Sequence, residues 1–266
     1  MPENLPRVQG RSVPVSARCA LGIVTKAPAA GSVKTRLVPP LSYDEAAALH
    51  ISFLKDTAEN IARAAGLCAC DGVAVYTPAG TEPALGALLP HGFQLVCQRG
   101  ETLGERLLSA TADLLAAGYG SVCLIDSDSP TLPQAALTTA VALLARPGER
   151  VVLGPADDGG YYLIGVKAVR RELFTGISWS TDKVFAQTVE RLQAAGLAAE
   201  VLPRWYDVDD GPSLHRLCEE LFAGSAGRRS ALRGYHAPHT RRQLARLLSS
   251  ARERVWPKPL VGWRLW

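Results

Sequence analysis

In SVCLIDSDSPTLP, residues 121–133, an apolar run passes directly into acidic residues. Val122, Cys123, Leu124 and Ile125 make a short unbroken apolar run, the pattern of a strand buried on both faces. The run stops abruptly at Asp126-Ser127-Asp128 and a loop bounded by Pro130 and Pro133. Upstream, CALGIV (19–24) has the same character and opens into the loop KAPAAGSVKTRLVPP (26–40). Further strands are read at GVAVY (72–76), FQLVC (93–97), RVVLG (150–154), YYLIGV (161–166) and near Ala199 to Leu202. Helices are read between them. Ser42 and Glu45 form a capping box for a helix running to about Ala65. Others span Glu82–Leu89, about Leu103–Ala117, Gln134–Ala145, and a segment capped by Ser180 or Thr181 that ends at Ala195. Strands alternating with helices predict an α/β fold, a mostly parallel sheet with helices on both faces. Right-handed crossovers then bring the carboxyl ends of CALGIV and SVCLI to one edge, where such folds bind ligands.

The 266 residues suit one domain with appendages: a flexible leader over 1–18, a body over 19–223, and a basic extension over 224–266 carrying one amphipathic helix. From Ser225 to Trp266 ten Lys and Arg face a single Glu253, so the tail carries +9 of a net +4 and the remainder carries −5. An acidic body argues against a nucleic-acid partner. The tail's Leu244, Leu247 and Leu248 form an apolar stripe, expected to dock on the body or to make a homodimer. Contact of the tail with a membrane surface or with nucleic acid is the alternative, and Trp256, Trp263 and Trp266 suggest docking too. No run is long enough for a membrane span and the start lacks a signal-peptide core, so a cytoplasmic location is expected. Six cysteines scattered through apolar segments read as reduced core thiols. Cys68-Ala69-Cys70 would need two further ligands nearby to hold zinc.

Four constellations carry chemistry. Lys26, Lys34 and Arg36 crowd one loop with Gly31 and small alanines, a composition that lets backbone amides and three cations meet a polyphosphate, although no Walker A pattern is present. In an extended segment Asp126 and Asp128 face the same way, and their mutual repulsion invites a hard cation, Mg²⁺ or Mn²⁺. In GPADDGGYYLIG, Asp157 and Asp158 are either turn residues or an acceptor's hydrogen-bond partner and base, with Gly159 and Gly160 admitting a substrate close to the backbone. WYDVDDGPSL supplies another same-face pair, Asp207 and Asp209, with Asp210 or Ser213 available to cap the next helix.

Together KAPAAGSVKTRLVPPLSYDEAAAL, LGERL, LIDSDSPTLP, VVLGPADDGGYYLIG, LFTGISWST and WYDVDD resemble the bacterial family of radical-SAM/selenodomain-associated transferases, also called arsenosugar-biosynthesis glycosyltransferases, from about Cys19 to Leu221. The resemblance implies a GT-A fold, the Rossmann-like sheet of nucleotide-diphospho-sugar transferases. It implies that Asp126 and Asp128 hold the metal as a D-x-D pair, that Lys34 and Arg36 contact phosphate, and that Asp209 is a further ligand. Asp210-Gly211-Pro212 departs from the Thr-Pro-Glu of the related nucleotidyltransferase element, which weakens the match at Asp209.

The leading expectation is a metal-dependent glycosyltransferase, moving a sugar from a nucleoside-diphosphate sugar to a small-molecule acceptor. Asp157 or Asp158 would serve as base if the reaction inverts. VKTRL also resembles the loop of guanylyltransferases that act on phospholactate or phosphoenolpyruvate, so the alternative is a nucleotidyltransferase using an NTP and a phosphorylated small acid or sugar. A third reading keeps the pocket as a nucleotide sensor whose basic tail binds a partner.

Overall fold

The protein, here a computed structural model, is described over residues 13–222 and 232–255. The apolar runs become strands β1 (Cys19–Lys26), β2 (Cys70–Thr77), β3 (Gln94–Cys97), β4 (Ser121–Asp126), β5 (Val151–Pro155), β6 (Tyr161–Val166) and β7 (Ala199–Val201). Between and after them lie α1 (Tyr43–Ala65), α2 (Glu82–Gly86), α3 (Leu103–Ala116), α4 (Gln134–Leu144), α5 (Val184–Ala194), α6 (Gly211–Phe222) and α7 (Pro238–Val255). One seven-stranded sheet results, in the order β3-β2-β1-β4-β6-β5-β7. Only β6 runs against its neighbours β4 and β5, because the short 156–160 turn folds it back beside β5 as a hairpin.

Alternation along the strands divides the core into two layers. Leu21, Ile23, Cys123 and Ile125 meet α1, α4, α6 and α7 through Phe53, Leu137, Leu217 and Leu247. Ala20, Val122 and Leu124 meet α3 and α5 through Leu107, Leu114 and Leu192 on the other face. After β3 the chain crosses back to lay β4 against β1, so the loops leaving β1 and β4 diverge and open a crevice at the carboxyl edge.

Local signals set most helix starts. The Ser42–Glu45 capping box forms as read, and an unread one, Thr102 with Glu105, starts α3. The expectation for α5 needs correction. Ser180 adopts a left-handed φ of 61°, and the helix begins at Val184 after Lys183, which makes no side-chain cap.

The ordered fold starts before Cys19. Arg18 is buried and binds Asp71 at the head of β2 with two hydrogen bonds, 2.7 and 2.8 Å, just after a 3₁₀ turn at Val15–Ala17. Residues 1–12 of the expected leader, and residues 224–231 and 256–266 of the basic extension with Trp256, Trp263 and Trp266, lie outside the described residues. The amphipathic basic helix is α7, and it docks on the body. Leu244, Leu247 and Leu248 enter the larger core layer, and the buried Asp56 of α1 accepts the amides of His239 and Thr240 at 3.0 and 2.7 Å, satisfying two donors of α7's first turn. All six cysteines are free thiols. Among the described residues no helix is long and apolar enough to cross a membrane.

Candidate active site

The crevice between β1 and β4 gathers the predicted residues from four loops. Lys34 leads. It holds a left-handed backbone (φ 49°) after the small-residue loop, which turns its side chain inward until only 3% is exposed. Its Nζ lies 2.7 Å from Asp128 Oδ1 and 2.8 Å from Asp209 Oδ1, and donates to the Val208 carbonyl at 2.8 Å. Burial pulls the Lys34 ammonium down, but the two carboxylates outweigh it and its pKa rises. Burial likewise pushes Asp128 up, and Lys34 with His50 reverses the shift, leaving it lowered. Arg36 stays 71% exposed, 3.8 Å from Asp209.

Asp126 and Asp128 converge by a different route from the one the sequence suggested. The strand ends at Asp126, and the next residues turn. Asp126 Oδ1 accepts the Asp128 amide at 2.9 Å, and Oδ2 accepts the Ser129 hydroxyl at 3.1 Å. Extended i, i+2 geometry therefore does not hold here, yet both carboxylates line the same cavity. Burial, then the negative charges of Asp128 and Asp207, hold the Asp126 carboxyl well above the usual range.

Two cavities share this ridge. One, about 350 Å³, is lined by Lys26, Lys34, Arg36, Arg106, Gln98 and His50. The other, about 500 Å³, is lined by Asp126, Asp128, Asp158, Asp182, Asp207 and Asp209, with a wall of Tyr161, Trp179, Leu103 and Leu107. Asp207 is pushed up to about 6 by burial and by the neighbouring charges of Asp158 and Asp209. Among the described residues no Lys or Arg pairs with Asp126, Asp158 or Asp207, so three carboxyl groups of this cavity have no ion-pair partner.

The remaining predicted residues separate. Asp157 turns from the acidic cavity into an ion pair with Arg216, whose guanidinium stacks 3.8 Å from the Tyr206 ring. Asp158 accepts the Gly160 amide at 2.8 Å and faces the acidic cavity, which Gly160 also lines. Gly159 requires a correction: at φ 90° a Cβ there would lie 2.3 Å from the Asp182 carbonyl oxygen, so the residue admits the protein's own backbone rather than a substrate. Asp210 caps α6 through the Ser213 amide at 2.9 Å.

Sequence reasoning missed several residues. Asp207 stood in the quoted motif, but the ligand role went to Asp209, and no spacing rule could tell which of the two Lys34 would claim. His50 had no signal, being one of many residues on the buried face of α1. Its Nε2 lies 3.1 Å from the Lys26 carbonyl, and burial lowers its pKa, which leaves Nδ1 without a partner 3.9 Å from Asp128. Arg106 is aimed by the Gly100 carbonyl at 3.0 Å. Among the described residues the one place where three ligand-type groups approach within 4.8 Å is elsewhere, at Asp56, Glu59 and His239. The α7 cap and a 2.6 Å His239–Glu59 contact account for that cluster.

Residues 60–181 match the family described as an uncharacterised protein conserved in bacteria, DUF2064. Over 90% of its length the chain is 32% identical to a protein of known structure from Desulfovibrio desulfuricans G20, covering 98% of that protein with a TM-score of 0.75. The chain belongs to that protein's family. The Desulfovibrio protein carries a provisional assignment as a nucleotide-diphospho-sugar transferase, and the fold is that of this class, as the sequence predicted. More distant likenesses include a cytidylyltransferase from Leptospira borgpetersenii serovar Hardjo-bovis (10% identity, 91% of this chain, 98% of that one, TM-score 0.48). Another is 4-diphosphocytidyl-2C-methyl-D-erythritol synthase from Anaerococcus prevotii (9% identity, 73% and 89%, TM-score 0.44). No curated protein matches the sequence.

Proposed function

We propose that this chain is a metal-dependent glycosyltransferase that moves a sugar from a nucleoside-diphosphate sugar to a small-molecule acceptor. The observation that carries the reading is the pair of oppositely charged cavities sharing one ridge at Asp128, Asp209 and Arg36. A diphosphate matches the cationic cavity, where Lys26, Lys34, Arg36 and Arg106 supply charge. A sugar matches the acidic one, where carboxylates accept hydroxyl hydrogens and Tyr161, Trp179, Leu103 and Leu107 cover an apolar face.

The donor set suits a hard divalent cation, because Asp126 is raised by burial and then by Asp128 and Asp207, and no Lys or Arg among the described residues pairs with Asp126 or Asp207. Asp126, Asp128 and Asp207 would hold Mg²⁺ or Mn²⁺, with Lys34 bridging Asp128 and Asp209 beside the ion. When bound, the ion would neutralise charge developing on the departing diphosphate. Lys34 and Arg36 add to that neutralisation from the other side of the ridge, and such electrostatic stabilisation is the largest catalytic contribution available here. Asp158, steadied by the Gly160 amide, would accept the acceptor's proton if the reaction inverts.

The test is a thermal-shift panel of nucleoside-diphosphate sugars against the matching NTPs, with and without Mn²⁺. A ligand at about a hundred times its Kd adds roughly 2.7 kcal/mol to native stability. Stabilisation by one nucleotide sugar, dependent on metal and lost in Asp128→Asn, is the expected result. Stabilisation by an NTP but not by its diphosphate sugar would replace the reading with nucleotidyl transfer.

A further inference from the structure

The proposed reaction leaves Cys68-Ala69-Cys70 without a role. The segment joins α1 to β2 at the amino-terminal edge of the sheet, so the eight residues of β2, about 23 Å, separate it from Thr77 in the cationic cavity. The Cys70 amide donates to the Cys68 carbonyl at 2.9 Å, closing a three-residue γ-turn. Fully extended, residues i and i+2 stand about 6.6 Å apart, at the far end of the range that a disulfide bridges, and the turn shortens that span. The two sulfurs lie 3.6 Å apart, and the Cys68 thiol donates to the Ala64 carbonyl at 3.2 Å. Cys68 is partly exposed, with Cys70 buried beside it.

The other close pair, Cys19 and Cys123 at 3.8 Å between sulfurs, is built differently. Cys19 registers with Ser121 and Leu21 with Cys123, which puts the two Cα atoms about 8 Å apart, beyond bridging distance. Both of these thiols are also buried. A thiolate metal site is disfavoured, because no three of these sulfurs lie within 4.8 Å of one another. The Arg18 guanidinium bonds the Cys70 carbonyl at 2.5 Å, but its charge is neutralised by the ion pair with Asp71.

We propose that Cys68 and Cys70 form a reversible dithiol–disulfide site, oxidised by exchange with a low-molecular-weight disulfide. The partly exposed Cys68 thiolate attacks one sulfur of the disulfide, whose other half leaves as a thiolate. The Cys70 thiolate then attacks the Cys68 sulfur and expels the second half. Two cysteine protons pass to solvent or to the departing thiolates, one protein disulfide forms, and one small disulfide is reduced to two thiols. Burial raises both the Cys68 and the Cys70 thiol, so each step draws on a small thiolate fraction and exchange quickens with alkaline pH.

The experiment equilibrates the full-length protein at pH 8.5 across ratios of oxidised to reduced glutathione. Free thiols are then blocked with one alkylating agent, the protein is reduced, and the released thiols are labelled with a second. The expected result is loss of two of the six thiols, both mapping to Cys68 and Cys70, with Cys68→Ser staying reduced and Cys70→Ser stopping at a glutathione adduct on Cys68. Six thiols intact at every ratio, a lasting adduct on Cys68 of the wild-type chain, or oxidation at Cys19 and Cys123 instead would overturn the proposal. The wild-type labelling map decides it even where a variant fails to fold.

Discussion

Replacing Asp207 with asparagine should make the metal-free protein more stable. Folding raises this carboxyl from 3.8 to about 6, first through burial and then through Asp158 and Asp209. The folded state therefore binds more protons than the unfolded chain between those values. Its stability is fullest below pH 3.8 and is lost as pH rises through 6. A rise of about 2 units at roughly 1.4 kcal/mol each caps the loss near 3 kcal/mol. Because the carboxylate borders an open cavity, solvent screening reduces that to about 1–2 kcal/mol. Asparagine removes the charge and with it the loss, so the variant's Tm at pH 7.5 in chelator should exceed the wild type's by about 3–6 °C. The difference between the two proteins should close below pH 4, where the wild-type carboxyl is protonated and no longer differs in charge from asparagine. Adding Mn²⁺ should then raise the Tm of the wild type and not of the variant. Equal Tm values in chelator, or a difference that persists at pH 4, would refute the reasoning.

Four further outcomes follow from the same geometry. Lys34→Met strands Asp128 and Asp209 and leaves the Val208 carbonyl without its lysine donor. Because each carboxylate keeps about a third of its surface in water, urea unfolding should show a loss of about 2–3 kcal/mol, at the low side for a buried pair. Asp158→Asn should abolish turnover under the proposed reaction, whereas Asp157→Asn should change stability by at most about 1 kcal/mol and leave turnover intact, since only the Arg216 pair is lost. Gly159→Ala forces a Cβ to 2.3 Å from the Asp182 carbonyl at a positive φ and should cost at least about 2 kcal/mol in chemical denaturation. Asp56→Ala removes the acceptor for two amides of α7; a loss of about 1–2 kcal/mol in urea unfolding is expected.

Strand and helix positions, the capping box at Ser42 and the placing of acidic clusters at strand ends were legible in the amino-acid sequence, because each depends on periodicity or on groups within four residues. The two-layer core followed from the same alternation. Other features needed the tertiary structure. Asp207 and Asp209 are chemically identical and two residues apart, and a lysine 175 positions from Asp209 decides which of them is neutralised. Gly159 looked like a substrate-facing glycine until Asp182 was found against it. The basic tail's leucine stripe predicted docking on the body or on a second copy without choosing between them, and the leucines with the carboxylate of Asp56 dock the described helix on α1. Local pattern sets what each segment can form; long-range packing and ion pairing choose among side chains that local pattern leaves equivalent.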